Sequence, residues 1–264
     1  ALTFSRASAR DMEDRFNKLF GDIINGHVHF STIHSFALQI VSQYEKKTGT
    51  QFTIIEGKDS PVSKMKILKD IYLKINDINI TEEKTEELMN DIGFVKNMML
   101  KPSNVKEINK YQFEIDNFIT IYQEYEKYKA NNNYIDYDDM LMKALEILQT
   151  KPNFLKYYRE RYTYIQLDEG QDTSKIQYEI IKLLAKPLNN IFLVGDDDQS
   201  LYQFRGAFPD ELLNFDKTYP NAKIMFMEEN FRSSKDIVDL SSVFIKNNKI
   251  RYVKNAFTNN PEYR

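Results

Sequence analysis

The sequence predicts an α/β fold: a mainly parallel sheet with helices on both faces, interrupted by a mostly helical insertion. Three observations carry this. Short apolar runs alternate with amphipathic stretches of helix length near both ends of the chain. Between about residues 50 and 150 that alternation stops, and Lys, Glu and Asn become frequent. Clusters of carboxylates follow directly after apolar runs, at the strand ends where open parallel sheets bind ligands.

Taken in order, Leu2 to Phe4 read as a short buried strand. Ala7 to Leu19 read as a helix with Met12, Phe16 and Leu19 at helical spacing, stopped near Gly21. Val28 and Phe30 suggest the next strand. Ser31 or Thr32 can cap the following helix, whose stripe is Ile33, Phe36, Ile40 and Tyr44 before Gly49. In the insertion the clearest pattern is "DNFITIYQEYEKYK", where Phe118, Ile121, Tyr122, Tyr125 and Tyr128 recur at steps of three and four. Segments 62–74 and 82–100 and "YDDMLMKALEILQT" also read as helices, and the insertion closes at Tyr134 to Asp139. Beyond residue 160 the expected order is strand 162–168, helix 174–185, strand 191–196, a helical stretch near 209–216, strand 223–228 and helix 233–247. The sheet domain is thus assigned residues 1–49 and 151–264, and the insertion residues 50–150.

With 264 residues, 42% of them hydrophobic, the chain can bury a substantial core. It has no cysteine, which excludes disulfides and thiolate metal sites. His27 and His29 alternate on a short strand without a third ligand, so no zinc site is expected. No apolar run approaches the roughly 18 residues of a membrane span, and no secretory leader opens the chain. A soluble protein of the cytoplasm is expected. The net charge of −3 does not exclude nucleic acid, because a local groove can be positive on an acidic protein.

Asp168, Glu169 and Asp172 follow the run "YIQL". A strand-end Asp can hold magnesium and the next acid can orient or deprotonate an attacking water, whereas the other reading is a solvated turn at a helix start. The next strand ends in "GDDDQSLYQFRGAF". Gly195 permits a close backbone approach or an unusual dihedral, and Gln199 can bond both water and a phosphate oxygen. Asp196, Asp197 and Asp198 require solvent, salt partners or a cation. Tyr202, Phe204 and Arg205 suit a stacking platform with a phosphate contact, or else core aromatics beside a turn. In "MEENFRSSKDI", Arg232 precedes a helix begun by Ser233 or Ser234 and could reach a transferred phosphoryl group, with Phe231 against a nucleobase. His34 at a strand–helix junction suits a sugar or phosphate contact or a structural hydrogen bond. No phosphate-cradling loop ending in Gly-Lys-Thr or Gly-Lys-Ser occurs in the sequence, which opens abruptly, so such a loop is expected upstream of Ala1.

These clusters together resemble the superfamily 1 ATP-dependent DNA helicases of the UvrD/Rep/PcrA type. "LTFSRASARDM" resembles motif Ia, "STIHSF" motif Ib, "YIDYDDML" the return from the helical insert, "LDEGQD" motif II, "LVGDDDQSLYQFRGA" motif III and "ENFRSS" motif IV. The resemblance implies a RecA-like motor domain, 1A, carrying an insertion like domain 1B, and an ATP-driven 3′-to-5′ translocase that unwinds duplex DNA in repair or replication restart. It implies ATP and Mg2+ as cofactors, held poorly by this segment alone, and single-stranded DNA and single-strand/duplex junctions as partners. Asp168 would serve the magnesium, Glu169 would activate water, Gln199 and Arg232 would meet the γ-phosphate, and Phe231 would stack on adenine. Phe4, Thr32, His34, Tyr202, Phe204 and Arg205 would line the single-strand path. Phe204 stands where Trp is frequent, "FSR" where "FTN" is frequent, and the glycine of "DEGQD" replaces a bulkier residue. By itself this segment is expected to be inactive. Two alternatives share the residues: a helicase-nuclease subunit, and a nucleic-acid-binding module without ATPase activity.

Overall fold

The helices begin where a short polar side chain can accept the first free backbone N–H groups. In the computed structural model, which describes residues 1–24, 27–57, 60–104, 108–111 and 113–262, Ser5 Oγ accepts from Ser8 N and starts helix α1, Arg6–Phe20. The side chains of residues 109 and 205 also lie outside the described part. Thr32, one of the two expected caps, starts α2, Ile33–Thr48, and Gly49 ends it in the left-handed region at φ 76°. Ser63 and Thr81 cap α3, Lys64–Asn76, and α4, Glu82–Asn97. Then come α5, Phe118–Asn132, α6, Tyr137–Thr150, α7, Pro152–Arg161, and α8, Lys175–Ala185. Two single turns, α9 (Asp210–Leu213) and α10 (Phe215–Thr218), precede α11, Lys235–Ile245.

Four strands form an all-parallel sheet: β1 (Leu2–Thr3), β2 (Ser31–Thr32), β5 (Ile165–Leu167) and β6 (Ile191–Leu193), in the order β2-β1-β5-β6. Leu2 pairs with Ser31 on one side and Leu167 on the other, and Leu167 pairs with Leu193. In the insertion β3 (Thr53–Ile54) and β4 (Tyr134–Ile135) form a second parallel pair. The fold is α/β, as the alternation predicts. The strand expected at Val28 and Phe30 lies instead at Ser31–Thr32, because the paired and buried residues are these two while Val28 is exposed. The expected strand 223–228 does not form. Ile224 to Met227 are exposed, and only an isolated bridge, Glu229 to Phe257, marks the region; an apolar run becomes a strand only beside another. Likewise α1 and α11 form where the period predicts, but Leu19, Ile237, Leu240, Val243 and Phe244 remain exposed.

Two separate apolar cores result. The first packs Phe36, Ile40, Leu141, Leu148, Tyr158 and Ile181 beside Leu2, Ile165 and Leu167 of the sheet. The second joins Leu68, Leu88, Ile92, Val95, Ile121 and Tyr125 of α3, α4 and α5. Helix α6, assigned by sequence to the insertion, contributes its apolar side to the first core, so the expected boundary at residue 150 does not coincide with the cores.

A buried charge cluster ties the two cores together. Asp136 and Asp139 form the capping box of α6, and Asp136 is fully buried. Lys96 Nζ meets Asp136 Oδ2 at 2.9 Å, Asp139 Oδ1 at 2.7 Å and Glu126 at 3.0 Å. Lys129 bonds Glu126, Asp136 and Asp139, Lys64 bonds Glu56, and the Tyr125 hydroxyl donates to Asp136. Burial alone would raise the Asp136 carboxyl, but the three lysines outweigh it and hold the group well below the usual carboxylate range.

Removing Lys96 would leave Asp136 buried beside fewer cations. Lys96→Ala should therefore cost roughly 3–5 kcal/mol in urea unfolding, the scale of a broken buried pair. A different carboxyl gives a pH signature. Asp91 is pushed up to about 7, by burial first and then by Glu87 and Glu114, and its buried Oδ2 has no hydrogen-bond partner among the described residues. Its folded value exceeds the unfolded one, so its penalty grows as pH rises from the ordinary carboxylate value to about 7. Asp91→Asn should raise the Tm more at pH 8 than at pH 5, as compared by thermal scans.

Candidate functional site

Three adjacent strands end side by side, and hydrogen bonds beyond the ladder align the loops that follow. Asp168 N donates to Leu2 O at 2.9 Å, Val194 N to Leu167 O at 2.8 Å, and Gly170 N to Val194 O at 2.9 Å. Glu169 turns the chain sharply, in the left-handed region at φ 54°, ψ 47°, a conformation that costs a non-glycine residue about 1–3 kcal/mol. Gly195 allows the close approach rather than an unusual dihedral. A Cβ there would lie 2.9 Å from Gln171 Oε1 and 3.2 Å from Gly170 N. The glycine of "DEGQD" has a comparable reason: a Cβ on Gly170 would lie 3.0 Å from Leu193 and 3.2 Å from the Tyr178 hydroxyl, which donates to Gly170 O.

Asp168 is half-buried, and its carboxyl is raised by burial and then by Glu169. Asp172 is raised for the same two reasons. The Asp172 Oδ1 is buried without a hydrogen-bond partner among the described residues. Like charges so placed are relieved by a cation, so the donor chemistry of Asp168 fits a hard divalent ion that takes its remaining oxygens from phosphate and water. Among the described residues no group of three or more His, Cys, Asp or Glu is placed to hold a metal by itself.

Sequence reading missed the residue that joins the two carboxylate loops. Gln171 is 1% exposed; its Nε2 donates to Glu169 Oε2 at 2.7 Å and its Oε1 accepts from Asp196 N at 3.0 Å. Only its place in a polar run after a strand could have hinted at this. Gln199 lies beyond, with Nε2 donating to Asp196 Oδ2 at 2.7 Å. The three successive acids are salt-paired, by Arg251 and Lys254.

Phe231 and Arg232 are exposed, and no hydrogen bond or ion pair links either side chain to Asp168, Glu169 or Gln199 among the described residues. Their loop is held by Asn230, whose Oδ1 accepts from Arg232 N and Ser233 N; Ser234 takes the cap position but makes no capping bond.

Across the same sheet edge lies an aromatic platform. Phe4, 53% exposed, stacks on Tyr202 with centroids 5.6 Å apart and planes at 17°, and Phe204 lies 6.2 Å from Tyr202. Phe4, His34, Lys64, Asp138, Asp172 and Tyr202 help to line a cavity of about 440 Å³. Burial lowers the His34 pKa against the pull of Asp138 and Glu56, which favours the neutral ring. Thr32 is buried and its hydroxyl is used in the cap of α2, so it does not face the cavity; the Arg205 side chain lies outside the described residues.

The profile of the UvrD/REP helicase N-terminal domain matches residues 1–220. The chain belongs to this family. Among curated UvrD/REP-type relatives, an ATP-dependent DNA helicase PcrA of Staphylococcus aureus is 35% identical over 263 residues, and one of Staphylococcus epidermidis is 34% identical. Each match covers 98% of this chain and 35% of the relative, so the chain spans about a third of the length of the curated relatives it matches.

In this UvrD/REP domain Gln171 is the joint that can be tested most directly. Gln171→Ala would strip Asp196 N of its acceptor and leave a cavity, so a loss of about 1–3 kcal/mol is expected in denaturant unfolding.

Proposed function

We propose that the chain is the first motor domain of an ATP-dependent DNA helicase that moves 3′ to 5′ on single-stranded DNA and separates duplex strands in repair or replication restart. The observation that carries this reading is the single sheet edge on which the Asp168–Glu169–Gln171–Asp196–Gln199 array and the Phe4–Tyr202 stack lie together. In this reading ATP with Mg2+ supplies the phosphoryl group to be transferred. Asp168 holds the metal, Glu169 takes a proton from the attacking water, and Gln199 contacts the terminal phosphate. Arg232 and Phe231 approach the phosphate and the adenine. Phe4, His34, Tyr202, Phe204 and Arg205 meet single-stranded DNA at a single-strand/duplex junction, the aromatic rings by base stacking. The sheet domain takes residues 1–49 and from 136 onward, and the insertion like domain 1B runs from 50 to 135, following the two cores. A cytoplasmic location goes with that substrate.

The test uses the full-length protein. Wild type should hydrolyse ATP faster with single-stranded DNA. Glu169→Gln should lower kcat by about 10²-fold or more while retaining binding of a non-hydrolysable ATP analogue with magnesium in calorimetry. Unchanged hydrolysis in E169Q would sink the assignment, and absent nucleotide binding in wild type would favour the binding-only module. Residues 1–264 alone should show neither hydrolysis nor unwinding.

A further inference from the structure

We propose that Arg251 and Lys254 form a clamp that positions Gln199 for its phosphate, an assignment that rests on the nucleotide-site reading above. Three adjacent carboxylates, Asp196, Asp197 and Asp198, repel one another and would drive their loop apart if unpaired. Each is taken up by the strap that follows α11. Arg251 grips Asp198 with a two-pronged contact, Nε to Oδ1 at 2.6 Å and Nη2 to Oδ2 at 2.5 Å. Lys254 Nζ reaches all three acids, at 2.5 Å to Asp196, 2.6 Å to Asp197 and 3.0 Å to Asp198. Tyr252 N donates to Asp197 Oδ2 at 2.8 Å, and the Tyr252 hydroxyl donates to the carbonyls of Leu212 and Leu213, which anchors the strap to α9.

The connection to Gln199 is direct. Lys254 and the backbone N–H of Asp198 hold Asp196 Oδ1, which leaves Oδ2 aimed at the Gln199 amide. The backbone of Asp196 is fixed separately by Gln171, which also holds Glu169. Two anchors thus set the place of Asp196, and Asp196 sets the place of Gln199. Burial acts to raise the Asp196 carboxyl, but the bonds from Lys254 and Gln199 prevail and keep it ionised, the state in which it can accept the amide.

The consequence is specific to catalysis. Without Lys254, Asp196 becomes a stronger acceptor on a loosened loop, and the Gln199 amide is misplaced for the phosphate. Neither residue touches nucleotide or DNA in this reading, so affinity should be spared. In the full-length protein, Lys254→Met should lower the DNA-stimulated kcat by about tenfold to a hundredfold, the scale of a catalytic group misplaced by an ångström. The KM for ATP and the Kd for single-stranded DNA should stay within about twofold, and Lys254→Arg should restore most of kcat. Arg251→Lys keeps the charge but loses the fork; it should lower kcat with KM likewise spared, and it serves where K254M fails to fold. An unchanged kcat in K254M and R251K, or a joint loss of kcat and DNA affinity that K254R does not rescue, would overturn the clamp. Wild-type protein without DNA-stimulated hydrolysis would overturn the nucleotide-site reading itself, a distinct result.

Discussion

The site depends on one constraint: the register that brings β1, β5 and β6 to a common end. Leu2, Leu167 and Leu193 are successive partners in that ladder, and the backbone bonds to Leu2 O, Leu167 O and Val194 O carry the alignment one residue further into the loops. A parallel slip by one residue would reverse every side chain and separate Asp168 from Gln171 and Asp196. Close approach requires small residues where two loops touch, which is why Gly170 and Gly195 meet there. The left-handed turn at Glu169 is the local cost of this arrangement, and Gln171 offsets part of it by holding the Glu169 carboxylate.

Charge is neutralised in two ways in this domain, and the contrast is informative. At the α6 cap, three lysines from three insertion helices surround Asp136 and Asp139 in a fully enclosed cluster. Such a cluster stabilises the joint between the cores only as a set, because its three lysines and two aspartates are buried. At the sheet edge, Asp196 to Asp198 have cations, but Asp168 and Asp172 have none within bonding distance among the described residues. At this strand end the acids paired with cations act as scaffolding, whereas Asp168 and Asp172, raised and without a paired cation, lie where a cation would be stabilised.

The strands, helices and acidic strand ends were readable because they depend on local pattern: period, caps and glycines. Thr32 and Gly49 act as the sequence suggested. What escaped is long-range or depends on neighbours. Lys96 meets Asp136 across 40 residues, and Arg251 meets Asp198 across 53, so no window of sequence contains both partners. Residues 223–228 have a strand's composition but no adjacent strand. Thr32 was expected both as a cap and as a DNA contact; its hydroxyl accepts from Ser35 N and donates to Ser35 Oγ, so its proton and one acceptor position serve the cap. Ser233 or Ser234 was expected to begin the last helix, yet the turn before it closes on Asn230, whose Oδ1 accepts from Arg232 N and Ser233 N.

The loop after β6 decides how the two halves of the proposed site communicate. It carries Gln199 and, three residues later, Tyr202, whose ring stacks on Phe4 at the end of β1. Between them Ser200 is tied back to Asp197 through its backbone, and beyond them Phe208 N bonds Thr173 O of the carboxylate loop. A displacement of Gln199 toward a phosphate would therefore be passed along a short tethered segment toward Tyr202. The loop is pinned before Gln199 by Gln171 and by the strap at Arg251 and Lys254, and after Tyr202 by the bond from Phe208 N to Thr173 O. A short segment held at both ends moves as a unit, and its two ends face different ligands in the proposed reading. Nucleotide state and base stacking would then be coupled through covalent connection and charge rather than through a long path across the core.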